Sequence, residues 1–317
     1  MKTYLDFEKP IAELESKVAD LQTLNTDDQS VSIDEEVEKL NEKARDALVT
    51  TYSKLTPWQK TQVARHPDRP HTRDFLAHLI TDFTELAGDR YFAEDAALIG
   101  GPGLFEGRPV MVIGHEKGAD TEARLKHNFG MARPEGYRKA VRLMDMADRF
   151  SMPVLTFIDT AGAYPGVGAE ERGQAEAIAR STDRCLSLRV PMITVVAGEG
   201  GSGGAIAVAS ANRVLMLEHA IYTVASPEAA ASILWRDSAK AVDAATNMKI
   251  TAQDLLKLGV IDEIVPEPVG GAHRDHDALM ATTRAAIAGH LEALSTLDPD
   301  AVRRDRQDRF LAIGRTL

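Results

Sequence analysis

The alternation of apolar and polar positions divides the chain into recognisable elements. After Pro10, apolar residues recur at Ile11, Leu14, Val18, Leu21 and Leu24, which keeps them on one helical face. Ser32 and Glu35 have capping-box spacing, and Ile33, Val37, Leu40, Ala44 and Leu48 follow at helical intervals. Residues 1–56 therefore read as a helical unit, either a hairpin packed on its own domain or an arm that meets a partner. Residues 57–70 read as a Pro-rich linker with short helical turns. Phe75, Leu79, Phe83 and Leu86 read as one face of an amphipathic helix ending near Gly88.

Beyond Gly88 the pattern turns to short apolar runs. Residues 97–99 and 109–113 are strand-like, with a hairpin turn at Glu106-Gly107-Arg108 between them. Residues 119–134 are polar and irregular, and a helix follows from Glu135 to about Phe150. A buried strand over 153–158 runs into Asp159-Thr160-Ala161-Gly162-Ala163-Tyr164-Pro165-Gly166-Val167-Gly168, then a long helix over 169–188. The unit repeats at once: an apolar strand over 191–197, the loop Gly198-Glu199-Gly200-Gly201-Ser202-Gly203-Gly204, and a short apolar helix. Strands alternating with helices predict an α/β fold with a largely parallel sheet and ligands at the strand C-termini. Further strands are expected at 214–217, 221–224 and 260–265. Ser226-Pro227 and Thr251 should start helices, and a long helix over 275–294 precedes a charged tail.

A chain of 317 residues has ample length for a buried core. Its net charge of −11 argues against a dedicated nucleic-acid binder; residues 1–56 hold seven basic and thirteen acidic side chains, so −6 lies there. The single Cys185 allows neither an internal disulfide nor a cysteine-based zinc site. The opening MKTYLDFEKP lacks the apolar core of a signal peptide, and no apolar run reaches membrane-spanning length. A cytoplasmic location is the expectation.

The glycine stretch carries the candidate chemistry, and three patterns overlap in it. Gly198, Gly200 and Gly203 fit a dinucleotide fingerprint, with Glu218 as ribose partner, although the helix behind them is short. Gly200-x-Ser202-x-Gly204 fits the nucleophile elbow of an α/β-hydrolase, and Asp262 with His273 or His276 would complete a triad in the required order. The third pattern is an oxyanion hole made of backbone N–H groups alone, which needs no side-chain nucleophile and lets a ligand lie against the main chain. His115, Lys117, Arg138 and Lys139 read as solvated or ion-paired, the alternative being a place near the site. Asp159 reads as a residue that orients its loop by accepting backbone hydrogen bonds.

Several longer segments go further. LDFEKPIAELESKV, ARHPDRP, NFGMARPEGYRKA, FIDTAGAYPGVGAEERGQAEAIAR, GEGGSGGA, SPEAAASILWRD and VPEPVGGAHR occur in the order and spacing of the alpha subunit of bacterial acetyl-CoA carboxylase carboxyltransferase, which the chain resembles over nearly its whole length. One departure is Ala161, where that family commonly has Pro. The resemblance implies a crotonase-like fold of repeated ββα units, with an N-terminal helical arm (1–31), a carboxyltransferase domain (32–294) and a C-terminal helical tail (295–317). It implies transfer of a carboxyl group from carboxybiotin, held on a biotin carboxyl carrier protein, to acetyl-CoA, giving malonyl-CoA. Gly203 and Gly204 would supply the alpha-side oxyanion hole, with Gly200 and Gly201 the competing pair. Gly162, Tyr164, Gly166 and Gly168 would wall the biotin site. The implied partners are the beta subunit in an α2β2 assembly, the carrier protein and biotin carboxylase; zinc would sit in the beta subunit and no metal in this chain.

Overall fold

A computed structural model describes residues 2–24 and 32–315. Its frame is a seven-stranded sheet: β1 (Leu98–Phe105), β2 (Arg108–His115), β3 (Val154–Thr160), β4 (Met192–Gly201), β5 (Arg213–Leu217), β6 (Ile221–Thr223) and β7 (Glu263–Val265), in the order β1-β2-β3-β4-β5-β7 with β6 also on β4. Only β1–β2 is antiparallel. Its tight turn is the predicted one, with Glu106 and Gly107 both at positive φ (48° and 77°), the geometry that matches the twist of a two-residue hairpin. The parallel strands are buried on both faces, which is why they read as continuous apolar runs.

β3 and β4 form the centre. Thr156 and Thr194 sit opposite each other, and their buried hydroxyls bond at 2.6 Å, fixing the register. The register then slips: Ile158 faces Val196, but Thr160 faces Gly200. The extra β4 residues let this strand bend away from β5 and pair its last three residues, Glu199 to Gly201, with β6. Arg69 meets the slip, donating to the Ala197 carbonyl at 2.8 Å while paired with the buried Glu267.

Four expectations are corrected. The segment 57–70 is no linker: Thr56 caps a helix over Pro57–Ala64, and the residues after it enter the interior. The helix at Phe75 ends at Leu79, and residues 80–86 run extended along β1, with Thr81, Thr84 and Leu86 bonded to Leu104, Pro102 and Gly100. A Cβ on Gly101 would stand 1.9 Å from the Thr84 carbonyl oxygen, so the glycines of β1 make room for this strap. The helix expected over 169–188 is two, Val167–Glu171 and Gln174–Ser187, separated by Gly173 at φ 81°. The glycine stretch is mostly strand, since β4 continues through Gly201 before the short helix Ser202–Ile206.

The helices Lys9–Leu24 and Ser32–Tyr52 lie against each other, and Ile11, Val18, Ala44 and Leu48 are buried as the periodicity requires; the Ser32 cap and the Leu24 and Ile33 side chains lie outside the described residues. Glu8 ties the first helix down, accepting from Leu5 N–H, Tyr52 and Arg274. At the other end, the helix Pro299–Ala312 is anchored by fully buried Arg306, which donates to the carbonyls of Cys185, Leu188 and Val190 and to Asn212. Among the described residues no helix is long and apolar enough to cross a membrane.

Candidate active site

Two strand ends meet at the centre of the molecule. β3 delivers Asp159, Thr160 and the 161–168 turn; β4 delivers Glu199 to Gly201 and then Ser202 to Gly204. Thr160 shapes the first turn, its hydroxyl bonding both the N–H and the carbonyl of Gly162. Ser202 turns the chain out of β4 at φ 53°, a conformation costing an L-residue ~1 kcal/mol or more and often retained at functional sites.

The glycines there serve unlike purposes. A Cβ on Gly201 would stand 2.1 Å from the Ala161 carbonyl oxygen, and one on Gly204 would stand 2.6 Å from Ala163 N and Gly162 C. On Gly198 it would meet Asp159 at 2.5 Å, and on Gly200 the Tyr222 ring at 2.9 Å. These four are glycine because neighbouring main chain or side chains occupy the space. Gly203 differs: its Cβ would meet only the Ile178 side chain, at 3.5 Å, and its φ is ordinary. Packing does not require glycine at 203, so its bare main chain faces outward for another reason.

The N–H groups of Gly203 and Gly204 make no hydrogen bond among the described residues. Gly200 and Gly201 instead lie in the β4 ladder, opposite Tyr222 and Thr223 of β6. Gly162 sits across from Ser202, with 3.9 Å from its Cβ direction to the Ser202 Cβ. Tyr164 is held by main-chain bonds to Ala132 and from Gln174 to its carbonyl, and lies under the Arg133 guanidinium. Its ring folds over Gly166, where a Cβ would be 2.3 Å away, while Gly168 lies beside Arg172. Gly162, Gly201, Ser202 and Gly204 are thus brought into contact, and Tyr164, Gly166 and Gly168 form the adjoining turn.

Beneath this surface lies a buried charge cluster. Asp159 accepts from Glu199 N–H at 3.1 Å and from Lys117 Nζ at 2.9 Å, and His71 Nδ1 lies 3.4 Å from its other oxygen. Burial works to raise the Asp159 pKa, but the Lys117 ammonium and His71 outweigh it and hold the carboxylate ionised. His115 is fully enclosed beside them, and burial pushes its pKa down to about 4, so the imidazole is neutral. Arg138 and Lys139 are ion-paired elsewhere, with Asp89 and Glu135 and with Glu94 respectively.

Sequence reasoning missed Arg65 and Arg69, which stand in the segment taken for a linker. Arg65 forks onto Glu199 and Glu228, and Arg69 is enclosed with Glu267. The signal was present in ARHPDRP, where two arginines bracket a proline turn, but their acidic partners lie more than 130 residues away.

The triad and dinucleotide geometries are not assembled. Asp262 is taken by Arg309 and Val214 N–H, His273 stacks on His66 at 3.8 Å, and His276 bonds the Asp68 carbonyl. Glu218 accepts the Glu267 N–H, and the helix after the glycines has only five residues. Ligand-type atoms of Glu8, His66 and His273 do approach within 4.8 Å. The two rings are nearly parallel, at 15°, so their in-plane lone pairs do not converge as a tetrahedral ion requires.

Comparison with known proteins agrees with this geometry. Residues 4–314 match the family model described as acetyl co-enzyme A carboxylase carboxyltransferase-like. The acetyl-coenzyme A carboxylase carboxyl transferase subunit alpha of Nitrobacter winogradskyi is 68% identical over all of this chain and 98% of its own length. That of Xanthobacter autotrophicus is 65% identical over the whole of both. Among solved structures, transcarboxylase 12S superposes with a TM-score of 0.59 at 21% identity, covering 72% of this chain and 42% of its own. The beta subunit of Pseudomonas aeruginosa geranyl-CoA carboxylase gives 0.56 at 17%, covering 78% and 46%. These two share the crotonase-like fold with this chain. By its sequence over nearly every residue, the chain belongs to the acetyl-CoA carboxylase carboxyltransferase family, on the alpha-subunit branch.

Proposed function

We propose that this chain forms the carboxybiotin side of a two-subunit carboxyltransferase and that Gly203 and Gly204 hold the developing oxyanion. Carboxyl transfer that makes malonyl-CoA from acetyl-CoA, dependent on biotin, is the activity of its family. When bound, carboxybiotin supplies an activated carboxyl group whose departure leaves negative charge on the ureido oxygen. The observation that carries the reading is the adjacent pair of N–H groups at Gly203 and Gly204, which make no hydrogen bond among the described residues, with the main chain at Gly203 left bare by packing. Two such donors can converge on one oxygen, and each is worth ~3 kcal/mol in the transition state. Gly200 and Gly201 serve beneath them as spacers that hold β4 against β6 and against the 161–162 turn. Gly162 and the Tyr164-to-Gly168 turn face the same opening and wall the site. Asp159 and Thr160 position that wall through the Glu199 N–H and the Gly162 main chain.

We assign the oxyanion site for the thioester and the zinc to a beta subunit in an α2β2 complex, served by a biotin carboxyl carrier protein and biotin carboxylase. Residues 1–31 act in this reading as an arm, 32–294 as the catalytic domain and 295–317 as a helical tail. The test is malonyl-CoA-dependent carboxylation of free biotin, with and without the beta subunit. The complex should be active and the isolated chain inert; turnover by the isolated chain would overturn the two-subunit reading.

A further inference from the structure

The turn after β3 is fastened at two points. At its start, the Thr160 hydroxyl bonds the N–H and the carbonyl of Gly162, at 3.1 and 2.8 Å. Further on, Tyr164 donates its N–H to the Ala132 carbonyl at 2.9 Å. Gln174 completes that second fastening. Its side-chain nitrogen donates to the same Ala132 carbonyl at 3.0 Å and to the Tyr164 carbonyl at 2.9 Å. Both donors of one amide are thus spent on main-chain carbonyls. The amide oxygen has no hydrogen-bond partner and the side chain is 4% exposed, so the group is held there for its donors alone. A break in the chain puts it in place: Gly173, at φ 81°, ends one helix, and Gln174 is the first residue of the next, Gln174–Ser187. Ala132 is firm ground for the clip, because the N–H that follows it, of Arg133, bonds buried Asp95 at 2.6 Å.

We propose that Gln174 is a positioning residue for carboxyl transfer, which clips the 161–168 turn in the place where it supports the Gly203–Gly204 main chain. The stretch between the two fastenings, Ala161 to Ala163, is what that main chain leans on. A Cβ on Gly204 would stand 2.6 Å from Ala163 N and Gly162 C, and one on Gly201 would stand 2.1 Å from the Ala161 carbonyl oxygen. Backbones packed this closely do not move independently, so a turn released at Tyr164 carries Gly204 with it. Misplacement of a catalytic group by about 1 Å costs on the order of 100-fold in rate. Gln174 acts through the turn and touches no reacting group. Glutamate in its place would set an oxygen against each carbonyl, and methionine would fill the space without donating. The effect on turnover rests on the carboxyltransferase reading above; the clip itself does not.

The test makes Gln174→Met and Gln174→Glu in the full-length chain and takes two measurements. One is amide hydrogen exchange of the chain, and the other is malonyl-CoA-dependent carboxylation of biotin by the complex with its beta subunit. In Gln174→Met, exchange across 161–168 should quicken roughly tenfold or more while that of 178–187 is unchanged. Its kcat should fall roughly tenfold or more, with KM for malonyl-CoA within about twofold of wild type. Gln174→Glu should show the same changes, larger; should it fail to fold, Gln174→Met decides. Arg306→Leu, which strands carbonyls at the far end of the same helix and beyond it, is the control for lost stability alone. Assayed below its melting temperature, it should keep wild-type kcat. Unchanged exchange across 161–168 would overturn the clip. Faster exchange with wild-type kcat, or an equal loss of kcat in Arg306→Leu, would overturn its role in positioning. An inactive wild-type complex would count against the carboxyltransferase reading instead, and exchange would still decide the clip.

Discussion

The contrast between Gly203 and Gly204 gives the sharpest test of the oxyanion assignment, because the same substitution has opposite structural consequences one residue apart. In Gly203→Ala the new methyl meets only Ile178, at 3.5 and 3.7 Å, which is ordinary contact. Alanine also favours the helical conformation over glycine by ~1 kcal/mol, so the fold should be unchanged or slightly more stable. In Gly204→Ala the methyl stands 2.6 Å from two main-chain atoms of the 162–163 turn, and overpacking of that kind costs ~1–3 kcal/mol. Activity should not follow stability. A Cβ on a helix tilts toward the N-terminus, the side on which the two N–H groups lie, so a methyl on Gly203 crowds them, and displacing an oxyanion from one donor costs ~3 kcal/mol, or roughly 100-fold in rate. The assay is malonyl-CoA-dependent carboxylation of biotin by the complex with its beta subunit, with melting temperature and subunit assembly measured on the same samples. Gly203→Ala should assemble, melt at or above wild type and lose roughly two orders of magnitude in turnover. Wild-type turnover in that variant would refute the assignment, since it would show that nothing needs the space above residue 203.

Further outcomes follow from the same structure. Ser202→Gly removes the left-handed strain at φ 53° and should stabilise the chain by ~1 kcal/mol while keeping carboxyl transfer; loss of activity at wild-type stability would restore a chemical role to the hydroxyl. Arg306→Leu strands three buried carbonyls and should cost ~3–5 kcal/mol, read as a lower denaturation midpoint with an unchanged m-value. Glu267 is held at about 2 against the pull of burial, chiefly by the Arg69 charge, so its folded pKa lies below its unfolded one. Its contribution is therefore complete above pH ~4.5 and lost as pH falls toward 2; Glu267→Gln should flatten the stability profile across that window. His115, held at about 4 by burial, adds a loss that begins earlier, because the unfolded chain takes up a proton below pH ~6.5 that the folded chain refuses until about 4. A His115→Gln variant whose stability still falls between pH 6.5 and 4 as steeply as wild type would contradict this.

The sheet was legible where one physical cause acted alone. β3 and β4 are apolar on both faces, so their runs could be read directly, and the hairpin at Glu106-Gly107 follows from turn chemistry. Ser226 and Thr251 cap their helices by accepting from Ala229 and Asp254 N–H, as their positions imply. Reading failed where a distant partner overrode local pattern. Phe75, Leu79, Phe83 and Leu86 do have helical spacing, yet Phe83 and Leu86 reach the core from an extended strap. What decides between the two is the glycine-lined edge of β1, twenty residues later. Glycine density likewise suggested an open loop at 198–204, whereas most of those glycines are compressed against neighbouring main chain or side chains. The pairs Arg65–Glu199 and Arg69–Glu267 join segments that no local window contains.

The glycines also bear on the proposal that a second subunit completes the site. To bring bare backbone to the surface at Gly203, the chain must bend β4 out of the main sheet and seat Gly201 and Gly204 against the 161–163 turn. That uses the interior for positioning and leaves the outer side open. Val167 and Ile206, on the helices that flank this opening, and Val224, just beyond β6, stay exposed, by 76%, 39% and 76%. Ile233 and Leu234, on the helix Pro227–Trp235, are exposed as well. Apolar residues in this number beside a functional surface favour covering by another protein surface over permanent contact with water. Water at an open N–H pair would also compete for the donors and weaken the field that makes them useful, whereas exclusion of water strengthens it. A beta subunit seated there would bury the apolar rim and dry the oxyanion site in one step, so assembly and catalysis should be lost together when that rim is made polar.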